Sequence, residues 1–156
     1  MTSLSRTVTA AVVGSWLAVG QTAHAADSAV GTWVRTDAAA KQLPPITMTI
    51  EMWGKSRIKA TYHIQSAEKM VMTIDSKADG SDAPVMMNGQ PSGQTMGIKL
   101  VDAHHTTNTV KWNGKKIGTS KGTLSPDGNT LTVENDITAD SPGGGKGKTT
   151  EVWVRK

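Results

Sequence analysis

From Val30 onward, apolar residues recur mostly at every second position, and Thr, Lys and Gly fill the gaps. That period belongs to a strand with one face buried and one face wet. Residues 46–53 (ITMTIEMW) set Ile46, Met48, Ile50 and Met52 against Thr47, Thr49 and Glu51, and residues 57–65 (RIKATYHIQ) set Ile58, Ala60, Tyr62 and Ile64 against Arg57, Lys59, Thr61 and His63. With Gly54 and Lys55 between them, the two segments predict a hairpin. Met70, Met72 and Ile74 mark a third strand, and a short piece at residues 84–87 follows the turn-like stretch 76–83 (SKADGSDA). Further strands are predicted at 94–102, where Met96, Ile98 and Leu100 are in phase, and at 106–112, 115–124, 129–138 and 148–155. Asn88-Gly89, Asn113-Gly114 and Pro126-Asp127-Gly128 separate them; Asn-Gly between alternating segments is a strong hairpin signal, because a type I′ turn needs positive φ at both central residues. Helix is expected at most as one turn near Asp37 to Lys41.

The pattern therefore predicts an all-β, antiparallel up-and-down meander of eight or nine short strands. Closing such a meander into a barrel removes its exposed edges, which favours a barrel over the alternative, an open β-sandwich. Period-two alternation assigns Met48, Ile50, Met52, Ile58, Tyr62, Ile64, Met70, Met72, Ile98, Leu100, Leu131 and Val133 to one continuous interior.

The first 25 residues read differently. Arg6 precedes an uncharged stretch, residues 7–20 (TVTAAVVGSWLAVG), and Ala23-His24-Ala25 supplies a small-residue cleavage site. This is the layout of a secretory signal, since the apolar run is shorter than the roughly 20 residues a spanning helix needs. The expectation is a 1–25 signal peptide followed by a single β domain, 26–156, periplasmic or secreted, with no membrane insertion after cleavage. The chain has no Cys, so disulfides, thiolate metal sites and cysteine nucleophiles are excluded and the domain rests on burial. Without Arg6 the balance is 16 basic against 13 acidic side chains, +3. Such a small and scattered excess argues against nucleic acid as a partner, and the cluster Lys111, Lys115, Lys116 and Lys121 reads as a solvated face. Oligomeric state is left open.

Gly31-Thr32-Trp33 in the first strand and Trp153-Val154-Arg155 in the last resemble the GxW opening and closing Arg of lipocalin-type (calycin) barrels. The NGK hairpin at Asn113, the residues 125–132 (SPDGNTLT) and the VWVRK end add to a layout similar to small secreted bacterial lipocalin-like domains of largely unknown function. The resemblance implies a lipocalin-like barrel closed by a Trp33–Arg155 contact. It conflicts with one feature of the alternation: Val30, Thr32 and Val34 lie opposite Trp33, and Val152 and Val154 lie opposite Trp153 and Arg155. If Trp33 faces inward, the Val residues require another cover, such as a flanking loop.

The mature chain carries seven Met and no Phe. Met fills irregular apolar space adaptably, so the Met-rich face reads either as packing or as the wall of a cavity for a small hydrophobic or amphipathic ligand. Candidate ligand-binding residues are Tyr62, Met48, Met52, Met70, Met72, Trp112 and Asn135. Asn135, in phase with Leu131, Val133 and Ile137, is expected to satisfy the Tyr62 hydroxyl. Two other readings use the same interior. One is a small cofactor-free isomerase or lyase with Tyr62 or His63 moving a proton. The other is a periplasmic copper-binding protein using the thioethers; His104 and His105, adjacent in one turn, do not converge on a shared metal. Glu51, Asp75, Asp102, Glu134, Asp136 and Glu151 are expected to be solvated carboxylates, no catalytic group stands out, and no motif for a cofactor or a resident metal is found.

Overall fold

The computed structural model describes residues 28–140 and 145–156. The signal expected at residues 1–25, and residues 141–144 of the glycine-rich loop, lie outside the described residues. Ten strands follow in order: β1 (Gly31–Arg35), β2 (Ile46–Gly54), β3 (Arg57–Ile64), β4 (Met70–Ser76), β5 (Asp79–Met87), β6 (Gln90–Leu100), β7 (His105–Trp112), β8 (Lys115–Leu124), β9 (Thr130–Ile137) and β10 (Gly147–Arg155). Each pairs antiparallel with its neighbour in the chain, and β10 returns to β1, so the meander closes into a barrel. The strand period accounts for the elements, and closure accounts for the absence of a free edge. The expected helical turn is a single 3-10 turn, Ala38–Lys41, whose first free N–H groups are met by the Asp37 carboxylate through Ala39 N.

Ten strands replace the expected eight or nine chiefly because β5 begins at Asp79, inside the stretch expected to be a turn. Its first four residues are exposed, so no apolar face reveals the strand. Ladder pairing with β6 holds it instead, Asp79 opposite Lys99 and Asp82 opposite Gly97. The reversal itself is confined to the positions around Ala78, at φ 60°, and Gly80, at φ 93°. Both Asn-Gly pairs turn as expected, with φ of 49° and 79° at Asn88-Gly89 and 45° and 78° at Asn113-Gly114.

A bulge in β2 changes one face assignment. Ile50 pairs with Ala60 but Met52 pairs with Lys59, so Glu51 is an extra residue. One extra residue inverts the alternation beyond it. Met52 is consequently 43 % exposed, a correction to its assignment as an interior ligand-binding residue, and Trp53, opposite Ile58, takes the inward position. The other eleven residues assigned to the interior are buried or half-buried. The core forms two clusters: one around Trp33, Met48, Ile50, Leu131 and Trp153, the other around Ile58, Ile74, Val85 and Ile98, with Trp53 and Tyr62 packed against both.

The first and last strands resolve the conflict in their alternation in favour of the tryptophans. Trp33 and Trp153 are fully buried, while Val30 and Val154 are 44 % and 40 % exposed and Val34 and Val152 are half-buried; the outward Val residues are covered only in part. Trp33 lies directly opposite Arg155, and the guanidinium carbon sits 4.5 Å from the indole centroid. The same guanidinium donates to the carbonyls of Gly128 (2.9 Å), Val30 (2.6 Å) and Ser28 (2.9 Å), and Trp33 Nε1 donates to Ala29 O at 2.9 Å. One end of the barrel is thereby shut.

Candidate functional site

The barrel encloses a cavity of about 440 Å³, within the range of small-molecule sites. Its wall is apolar along β2–β4 and mixed along the remaining strands, where Met96, Ile98, Val110, Leu131, Val133 and Trp153 accompany the polar groups. From β2, β3 and β4 it receives Ile46, Met48, Ile50, Trp53, Ile58, Ala60, Tyr62, Ile64, Met72 and Ile74, a surface apolar except for one phenol. Apart from Gln94 on β6, the polar lining groups come from β1 and β7–β10: Arg35, Thr106, Asn108, Ser120, Asn135, Thr149 and Glu151. Four of these share one register row across neighbouring strands, Asn108 opposite Ser120, Ser120 opposite Asn135, and Asn135 opposite Thr149. The lining also includes the exposed Thr149 and Gly145, which puts the mouth beside the β9–β10 connection, opposite the end sealed by Trp33 and Arg155.

Arg35 and Glu151 were not singled out by sequence reasoning as interior residues. Arg35 Nε donates to Asp37 Oδ2 at 2.6 Å, and its Nη1 lies 3.6 Å from Glu151 Oε1. Glu151 also accepts from Trp153 Nε1 at 3.2 Å and Asn135 Nδ2 at 3.5 Å. The side chains of Arg35, Asp37 and Glu151 are 12 %, 8 % and 25 % exposed, so Glu151 is not the solvated carboxylate that alternation suggested. Hydrogen bonding by Arg35 holds the Asp37 carboxyl below the ordinary carboxylate range. The signal was present in the phase: once Trp33 faces inward, so do Arg35 two residues on and Glu151 two residues before Trp153.

The structure places the other expected site residues as follows. Met48, Met72, Tyr62 and Asn135 line the cavity; Met70 and Trp112, half-buried at strand ends near the mouth, do not. Asn135 does not meet Tyr62. Its amide donates to Thr149 Oγ1 (3.4 Å) and Glu151, because the polar row along β9 and β10 lies nearer than β3. Tyr62 instead meets Trp153 edge to face, with centroids 5.7 Å apart and planes at 72°, and its hydroxyl has no hydrogen-bond partner among the described residues. Burial, reinforced by the Glu151 charge, pushes the phenol far above its ordinary value and holds it neutral. His63 is exposed on the outer face of β3, so the proton-transfer role considered for it has no access to the cavity. His105 pairs with Asp102 (2.8 Å) and His104 Nδ1 meets Leu124 O (3.1 Å).

No family model matches this chain, and no curated protein matches it. Among solved structures, a single-site variant of the fluorescent protein UnaG matches with a TM-score of 0.58 at 16% sequence identity, over 81% of this chain and 95% of that one. The chain shares the closed antiparallel barrel fold of that protein. At that identity the likeness concerns the barrel, and the residues of the cavity must be read from their own chemistry.

Proposed function

We propose that this protein is a secreted or periplasmic binding protein that holds a small amphipathic molecule inside its barrel. The observation that carries the reading is the cavity itself: a space of about 440 Å³, open at one end, with an apolar wall along β2–β4 and polar side chains grouped among apolar ones on the other side. A barrel interior built only for stability is filled by side chains. This one keeps room beside a neutral phenol and an ion pair, the combination of apolar area and few placed polar groups that orients a ligand.

Trp53 and Trp153 both line the cavity, so ligand entry is expected to alter tryptophan emission. Titration with a panel of fatty acids, retinoids and aromatic compounds should yield saturable changes for part of the panel, and a flat response to all of it overturns the reading. Export is tested separately: expressed in a bacterial host, the full chain should be recovered outside the cytoplasm with a mass corresponding to cleavage after Ala25. Recovery of the intact chain in the cytoplasm overturns that part.

A further inference from the structure

We infer that the ligand of this cavity is an amine-bearing amphipath, bound with its cationic nitrogen against Glu151 beside Tyr62 and Trp153; the inference rests on the binding role proposed above. The charges in the wall carry it. Arg35 contributes one positive charge and faces two carboxylates, Asp37 and Glu151. Asp37 takes the closer and better contact: Arg35 donates to it through Nε at 2.6 Å and Nη2 at 3.3 Å, and Ala39 N adds a third bond at 3.1 Å. Glu151 is left with a 3.6 Å ion pair, one indole bond at 3.2 Å and one amide contact at 3.5 Å. A carboxylate offers about four lone-pair sites, so Glu151, which lines the cavity, retains acceptor capacity.

The cluster therefore has a formal excess of one negative charge, in a space whose opposite wall is hydrocarbon. A partly buried charge without a full counter-charge is costly, and a ligand cation removes that cost, whereas a ligand anion adds to it. The surroundings suit a cation further. Tyr62 and Trp153 line the same cavity, Trp153 with its N–H edge turned to Glu151, and their rings shield a cation held there from water. Asn108 lines the same cavity and its Nδ2 donates to Ser120 Oγ at 2.8 Å, which adds a neutral polar group to the wall. The nearby cations do not compensate Glu151, since Lys146 and Lys148 point to Asp140 and Asp136 on the outside.

A head-group series on one apolar body tests this: naphthylmethylamine, naphthylmethanol and naphthoate, each titrated calorimetrically into the mature protein. The amine should bind about tenfold more tightly than the alcohol, the increment of a charged over a neutral hydrogen bond, and naphthoate should bind most weakly. In the E151Q variant, checked for folding by circular dichroism, the amine should lose its advantage over the alcohol. Preference for naphthoate, equal affinities for all three, or an amine advantage that survives E151Q overturns the inference and leaves the cavity reading intact. Failure of all three to bind counts against both. The comparison within the unsubstituted protein stands even if E151Q does not fold.

Discussion

Arg155 shows how much one side chain contributes to closure. It stacks on Trp33 and donates to three carbonyls, two of them in the segment that enters β1. A planar guanidinium serves these partners together, which a lysine ammonium at the same place does not. Arg155→Ala should lower unfolding stability by about 2–4 kcal/mol, measured by urea denaturation, and Arg155→Lys should recover less than half of the loss. The GxW glycine belongs to the same device. Gly31 has φ +144°, and a Cβ there would come within 2.5 Å of Arg155 Nη1. Gly31→Ala should therefore cost about 1–3 kcal/mol through backbone strain and displacement of Arg155. Asp37 makes a prediction in pH. Its carboxyl is depressed in the folded state, first by the Arg35 hydrogen bond, so its contribution is complete above the ordinary carboxylate range and is lost as pH falls through the depressed value. Stability measured from neutral to acid pH should fall less steeply in Asp37→Asn than in the parent chain, with the variant less stable at neutral pH; an unchanged acid limb would remove Asp37 from the account.

At the scale of the element, β2 carries the sharpest lesson. Residues 46–52 alternate without a flaw, and alternation alone puts Met52 inside. The inserted Glu51 reverses the end of the strand, exchanging Met52 for Trp53 at the inner surface. Trp53 then reaches across to donate to Ala103 O at 3.0 Å in the β6–β7 connection, and the exposed Glu51 pairs with Lys59 at 2.7 Å. Two methionines on one strand should thus respond in opposite ways. Met48→Ala, at a site 2 % exposed, should cost about 2–4 kcal/mol by cavity formation. Met52→Lys should leave stability within about 0.5 kcal/mol, as surface substitutions do. A severe loss from Met52→Lys in thermal or urea unfolding would contradict the bulge. The bulge is invisible in the sequence because Glu51 sits at a polar position in either register, and only the fit of Trp53 into the interior selects the shifted one.

Across the whole molecule, the ladders are uneven. β4 and β5 share three paired positions, as do β1 and β10, whereas β3 with β4 and β6 with β7 share seven each. The β1–β10 seam is reinforced by Arg155 and the two buried tryptophans; the β4–β5 seam is tied beyond its ladder at one end, where Asn88 N donates to Val71 O and Asn88 Oδ1 accepts from Val71 N. Local opening follows the sparsest protection, so amides of β5 should exchange hydrogen well before those of β7 and β8 in native-state exchange, and the reverse order would mean that the cavity opens elsewhere. Much of this architecture was legible in the residues: period-two alternation determined nearly every strand, Asn-Gly pairs determined two hairpin turns, and the lack of Cys meant that burial had to hold the fold. These are local properties, in which one face must be wet and one dry and a turn must reach positive φ. The first half of β5, the shifted end of β2, the inward Arg35 and Glu151, and the space left between the two core clusters were decided only by closure. Strand number, register and tilt must agree around a barrel before any residue's neighbours across the interior are defined. Whether the enclosed volume is filled, and which charges share it, depends on contacts between strands that are distant in sequence.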